Sequence, residues 1–304
     1  MPAAKEIRAL TETAGRMGKD KLRKFAENAT FRCMVQPSLD QVLHRDHPLK
    51  GRWAADFFHN EHPIVLELGC GKGDYTVALA QRHPDINYIG IDIKGARMWK
   101  GAKFAEQNGL ANVAFLRTRI EFIGSLFGED EVSEIWITFA DPQIGREKKR
   151  LTSPLFLARY AAFLRPDGKV RLKTDSRYLY EYTRALCEAN SLPVAFSTHD
   201  LYALEPSRPA VPQTAAAGPV PADGGLSAPA PVTPLDPALF EVQTFYEKHF
   251  LAQGYPICYL EFSLKADDTS VLDTETSISF LSPQWEEERW KDEAHHAFVI
   301  QVYD

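Results

Sequence analysis

Cysteine is scarce in this chain, and long apolar runs are missing altogether. The four cysteines, Cys33, Cys70, Cys187 and Cys258, stand far apart, and no two form a C-x-x-C pair. That spacing excludes a zinc ribbon or a thioredoxin-like redox motif and suits a reducing, cytoplasmic setting. No metal is expected. No apolar stretch approaches the ~20 residues needed to span a bilayer. The amino-terminal segment MPAAKEIRAL lacks the apolar core of a signal peptide, so neither membrane insertion nor export is expected. Nor does the chain have the large positive charge typical of a polyanion-binding protein; its formal net charge is −6. The charge is unevenly spread, however. Residues 265–304 carry 3 Lys/Arg against 10 Asp/Glu, which leaves 32 basic and 31 acidic side chains elsewhere, and residues 1–50 carry 10 Lys/Arg against 6 Asp/Glu. The acidity sits in the tail, and the body keeps the means to meet RNA through a local basic face.

Forty-four per cent of the residues are hydrophobic, enough to bury a full core and to exclude a disordered chain. Short apolar runs at Pro63–Leu68, Asn87–Asp92, Asn112–Arg117, Glu134–Ala140, Lys169–Thr174, Pro193–Thr198 and Ile257–Leu264 read as seven strands. Helix-like segments at Asp74–Gln81, Gly95–Asn108, Pro154–Phe163 and Ser176–Ala189 separate most of them. Strand–helix alternation of this kind predicts an α/β fold with a mostly parallel seven-stranded sheet and helices on both faces. Residues 1–50 read as a basic arm or loose helix and residues 51–264 as the main domain. Pro206–Pro237 holds 9 Pro, 7 Ala and 3 Gly, a flexible insertion that cannot build a core. Residues 265–304 form an acidic extension.

Candidate chemistry clusters at strand ends. Glu67-Leu68-Gly69-Cys70-Gly71-Lys72-Gly73 ends a strand in an acid and then places three glycines at alternate positions before a helix. Glycines let the backbone turn tightly and approach a ligand, and the helix start offers free N–H groups. The G-x-G-x-G spacing differs from the G-x-G-x-x-G of dinucleotide enzymes, which disfavours a nicotinamide oxidoreductase. Asp92 ends the second strand, where a carboxylate accepts hydrogen bonds from ribose hydroxyls or caps the next helix. Asp141-Pro142 follows the fourth strand, where an open α/β sheet places its site, and Pro142 stiffens the turn. The basic run Arg146 to Arg150 reads as a phosphate contact or as a solvated loop. Asp175, after the fifth strand, and Glu247 are acids able to accept from the N1 and N2 edge of guanine. Taken alone, Glu247 reads as a surface helix acid.

Taken in order, ELGCGKG, GID, ADPQ, LKTD and TFYEKHFLAQG resemble the bacterial tRNA (guanine(46)-N7)-methyltransferase family, over roughly residues 16–264 without the Pro/Ala stretch. The resemblance implies a Rossmann-like class I methyltransferase fold, S-adenosylmethionine as cofactor and tRNA as partner. It implies cofactor contacts from Glu67, Gly69, Gly71, Gly73, Asp92 and Asp141, and substrate contacts from Asp175, Thr244, Tyr246 and Glu247. The chain departs from the family pattern twice. The family's Lys after Asp-Pro is replaced by Gly145, which leaves Lys148 or Lys149 to take its part. The acid expected to face the adenine is replaced by Arg119, so backbone groups near Arg119 and Ile120 would have to serve. Guanine N7 has a lone pair and no proton to lose, so alignment rather than a general base should dominate. Asp141 or Asp175 would stabilise the positive charge the purine acquires. A class I methyltransferase acting on protein or a small molecule, or a non-catalytic RNA-binding homologue, are the alternatives. The oligomeric state is not legible.

Overall fold

The computed structural model describes residues 20–205 and 235–264. The first 19 residues, nearly all of the Pro/Ala insertion and the acidic extension lie outside the described residues. The chain forms two compact units, residues 1–132 and 133–304.

Among the described residues, the first unit begins with helix α1 (residues 20–28), followed by β1 (Met34–Val35) and the short α2 (Leu39–Val42). A π-helical turn at Trp53–Phe58 follows. Trp53 is fully buried, donates from Nε1 to the Leu126 carbonyl at 2.8 Å and stacks on Phe127. Then come β2 (Ile64–Leu68), α3 (Asp74–Arg82), β3 (Asn87–Asp92), α4 (Gly95–Gln107) and β4 (Val113–Arg117). The strands lie in the order β1-β4-β3-β2, each pair parallel. Every residue of β2 is buried, as expected of a parallel strand covered on both faces. The segment expected to be a basic arm is partly built into this unit, because Met34 and Val35 pair with Phe115 and Leu116. A two-residue strand is too short to leave a periodic signal, so the described strands number eight rather than the seven read from the sequence.

The second unit holds β5 (Val132–Thr138), α5 (Pro154–Ala161), β6 (Leu164–Thr174), α6 (Arg177–Ala189) and β7 (Val194–Thr198). Beyond the insertion lie α7 (Ala238–Glu241), α8 (Phe245–Ala252) and β8 (Cys258–Ser263). The order is β5-β6-β8-β7, with β8 antiparallel to both neighbours. Pro154 sits in the first turn of α5, where its missing N–H costs nothing. Ser176 caps α6 by accepting from the Leu179 amide at 3.1 Å. Strands connected by helices, with parallel pairing in the first unit, make this the α/β fold that the alternation predicts and the Rossmann-like fold that the resemblance implies. Among the described residues no helix is long and apolar enough to cross a membrane, and no group of His, Cys, Asp and Glu could hold a metal ion.

Candidate active site

In the first unit the chain leaves β2 through Glu67 and turns through Gly69, Gly71 and Gly73 into α3. All three glycines have positive φ, at 77°, 54° and 72°. The third has a second constraint: a Cβ on Gly73 would lie 2.4 Å from the ring of Phe115. At Gly69 an added Cβ would meet nothing within 4 Å, and at Gly71 only the Gly69 carbonyl at 4.0 Å. These two glycines therefore face open space, which leaves room for a ligand against bare backbone. Glu67 is buried and accepts from the Thr76 amide at 2.8 Å and from the Thr76 hydroxyl, tying the strand end to the first turn of α3. Asp92, at the end of β3, accepts from the Gly71 amide at 2.9 Å and from the Lys94 amide at 2.7 Å. One carboxylate thus braces the glycine turn and the entry to α4. It is not the N-cap of α4, a position that Lys94 holds.

Cys70 stands inside this turn but is no nucleophile. Burial, with Glu67 and Asp92 nearby, pushes its thiol well above the usual range and keeps it neutral. Arg119 is exposed and pairs with Glu121 at 3.1 Å on the short helical turn after β4.

In the second unit three motifs converge. The Asp-Pro loop leaves β5 through Phe139, whose φ is 51°, and passes Gln143 at 51° and Gly145 at 76°. Asp141 is exposed and accepts from the Gln143 amide at 2.8 Å, a local turn that Pro142 stiffens. At the φ that Gly145 adopts, a Lys would be strained. Lys148 and Lys149 are exposed on a one-turn helix, Glu147–Lys149.

Arg150, read from the sequence with its neighbours as a phosphate contact or part of a solvated loop, is instead 2% exposed. Its Nε donates to the Pro142 carbonyl at 2.8 Å, and its Nη2 donates to the Gln143 carbonyl and to the Tyr178 hydroxyl. Its guanidinium lies 3.9 Å from the ring centroid of Tyr182. Arg150 holds the Asp-Pro loop onto α6 and has no surface left for RNA. Tyr182 extends the brace by donating to Glu147 at 2.8 Å.

Asp175 is half-buried between β6 and α6. The Phe139 amide donates to the Lys173 carbonyl at 2.9 Å, joining the Asp-Pro loop to the end of β6. Phe139 also stacks on Phe250 of α8, with centroids 6.3 Å apart. Thr244 caps α8: its hydroxyl accepts from the Glu247 amide at 3.1 Å, and its own amide donates to Glu247 Oε2 at 3.2 Å. TFYE is therefore a capping box, a reading that the T-x-x-E spacing would have supported. Tyr246 is half-buried on the same turn.

Glu247 is not the surface acid its position suggested. It has no exposed surface, and its Oε1 lies 2.5 Å from Lys173 Nζ and accepts from the Tyr202 hydroxyl at 2.8 Å. Burial draws the Lys173 ammonium below its usual range while Glu247 opposes the shift, and burial, then Glu247, raises the Tyr202 phenol. Tyr202 carries no sequence signal beyond its type, and Lys173 is legible only as part of LKTD, because the contacts of both are tertiary.

Comparison with known proteins decides the kinship. Residues 61–215 match a family model described as "Putative methyltransferase". A tRNA (guanine-N(7)-)-methyltransferase of Christiangramia forsetii is 47% identical, covering 81% of this chain and 99% of that protein. The chain belongs to the tRNA (guanine-N(7)-)-methyltransferase family. Other family members show the same depth of likeness. Those of Bacteroides thetaiotaomicron and Porphyromonas gingivalis are 44% and 47% identical, covering 82% and 76% of this chain and 87% and 83% of their own.

Proposed function

We propose that this chain methylates N7 of a guanine in tRNA, at position 46 of the variable loop, using S-adenosylmethionine, in the cytoplasm. One observation carries the reading: kinship across nearly the full length of relatives that bear this name, with the glycine turn open at Gly69 and Gly71 and braced by Asp92. Open backbone beside a carboxylate is a donor and acceptor set that fits a nucleoside cofactor.

In this reading Gly69, Gly71 and Gly73 shape the cofactor cradle and Glu67 anchors it from below. Asp92 accepts from the ribose hydroxyls, and backbone near Arg119 and Ile120 takes the adenine. When bound, S-adenosylmethionine supplies a methyl group activated by a sulfonium centre. The chain's own work is to align and to exclude. N7 needs no general base, so the rate comes from orientation. Asp141 and Asp175 stabilise positive charge developing on the purine, while Thr244 and Tyr246 border the base. Glu247 serves from inside, as the cap and buried anchor of α8, and Lys148 and Lys149 meet phosphates.

Incubation with unmodified tRNA and labelled cofactor, then nuclease mapping, should place one methyl group on N7 of guanine 46. Label on protein, or on another nucleotide, would refute the assignment. A second expectation concerns the basic turn. Lys148 and Lys149 are exposed, so replacing both with Ala should leave stability unchanged and weaken tRNA binding. The slope of log affinity against log salt should flatten by about 0.7–0.9 for each lost phosphate contact. A slope equal to that of the unaltered protein would mean that the turn is merely solvated.

A further inference from the structure

Lys173 is the one lysine driven fully out of water among the described residues, and its place in the fold is a junction. Its backbone carbonyl accepts from the Phe139 amide, the residue that leads into Asp141-Pro142. Its side chain runs the other way. The ammonium lies 2.5 Å from Glu247 Oε1 on α8 and donates to the Leu239 carbonyl on α7, also at 2.5 Å. Neither Lys173 nor Glu247 has any exposed side-chain surface. Two residues further on, the chain reaches Asp175.

A buried ion pair is weak evidence for stability, because desolvation offsets most of the Coulomb gain. A well-packed apolar pair would hold α8 to the sheet as firmly. What an ion pair adds is direction, since charge-assisted hydrogen bonds tolerate little displacement. Here the directed bonds end on the first turn of α8, whose start is set by the Thr244–Glu247 capping box. The other end of the same lysine sits between the Asp-Pro loop and Asp175.

We propose that Lys173 is a positioning residue for methyl transfer: through Glu247 it fixes the start of α8, with Thr244 and Tyr246, against the strand end that carries Asp175. The proposal rests on the reading that Asp175, Thr244 and Tyr246 face the guanine. Each member of the pair has a second partner: Tyr202 donates to Glu247 Oε1, and the Leu239 carbonyl accepts from the ammonium.

The test uses Lys173→Met, Glu247→Gln and the double variant in the full chain, with kcat and KM for tRNA, cofactor Kd and thermal midpoint measured for each. Misplacement of about 1 Å is worth about 100-fold in rate. Each single variant should therefore lose about that much in kcat, with cofactor Kd within about twofold of the unaltered chain. Because the two residues act as one unit, the double variant should be no slower than the slower single. It also has no unpaired buried charge, so its thermal midpoint should recover while its kcat does not. If a single variant fails to fold, the double still carries the test. Recovery of kcat together with stability would overturn the proposal, because the pair would then be merely structural. Multiplicative losses would overturn it as well, as would a Lys173→Met enzyme with normal kcat beside a crippled Glu247→Gln. Failure of the guanine reading itself would look different: Asp175→Ala would then leave kcat on tRNA unchanged.

Discussion

Replacing Arg150 with Ala is expected to destabilise the protein by about 3–5 kcal/mol, the range for emptying a large buried side chain. Two effects add. The change strands the Pro142 carbonyl, which accepts from the guanidinium, and a buried acceptor left without a partner costs about 1–3 kcal/mol, whereas the Gln143 carbonyl keeps the Arg146 amide. It also removes the cation from the faces of Tyr178 and Tyr182 and opens a cavity beneath the Asp-Pro loop. Arg150→Lys should recover only part of the loss, because one ammonium cannot serve two carbonyls and lie flat on a ring. Denaturant unfolding reads the effect directly, and a change below about 1 kcal/mol would show that the loop stands without its brace. The contrast with Lys148 and Lys149 is sharp. Three cations in a row divide into two that serve the surface and one that serves the core. Turnover should fall with Arg150→Ala as well, since the loop it holds carries Asp141.

That division marks where sequence reasoning stops. Period and punctuation locate elements well: the strand read at Asn87–Asp92 has those bounds in the structure, and the helix read at Ser176–Ala189 begins one residue later. The strand read from Lys169 begins instead at Leu164 and takes in Pro166, Asp167 and Gly168, which read as a turn in the sequence. Burial of charge is a different matter. Arg150 looks like Lys149, and Glu247 looks like any acid in a helical first turn, until the third dimension closes over them. Their partners, Tyr178 and Tyr182 for one and Lys173 and Tyr202 for the other, lie 28 or more residues away and follow no local period. The glycines after β2 were legible because backbone conformation is a local property, and all three have positive φ. The capping box lay in plain view as T-x-x-E, overshadowed by the substrate contacts that the resemblance implied.

Asp92 is the second residue whose loss should be large, and here the expected effect falls on the ligand. The carboxylate already holds two backbone amides, Gly71 at 2.9 Å and Lys94 at 2.7 Å, so it sets the shape of the cradle before any ligand arrives. A hydrogen bond to a charged group contributes about 1.5–3 kcal/mol when shielded and less where water competes, as it does at this half-buried position. Asp92→Ala removes both braces and, in the proposed function, the ribose acceptor too. Cofactor Kd should rise by about 10- to 100-fold, which is about 1.4–2.8 kcal/mol. Stability should fall by only about 1 kcal/mol, because Glu67 still ties β2 to α3 through Thr76. Asp92→Asn separates the two roles. An amide oxygen can still accept from one backbone amide, so the turn keeps part of its shape. The amide nitrogen, however, presents donors where ribose hydroxyls need an acceptor. Asn should therefore restore most of the stability and little of the affinity. Calorimetric titration with S-adenosylmethionine, run beside thermal melts of both variants, measures the two effects separately. If Asp92→Ala melts early but binds cofactor as tightly as the unaltered chain, the carboxylate is a brace for the glycine turn and nothing more, and the ribose must be held from elsewhere.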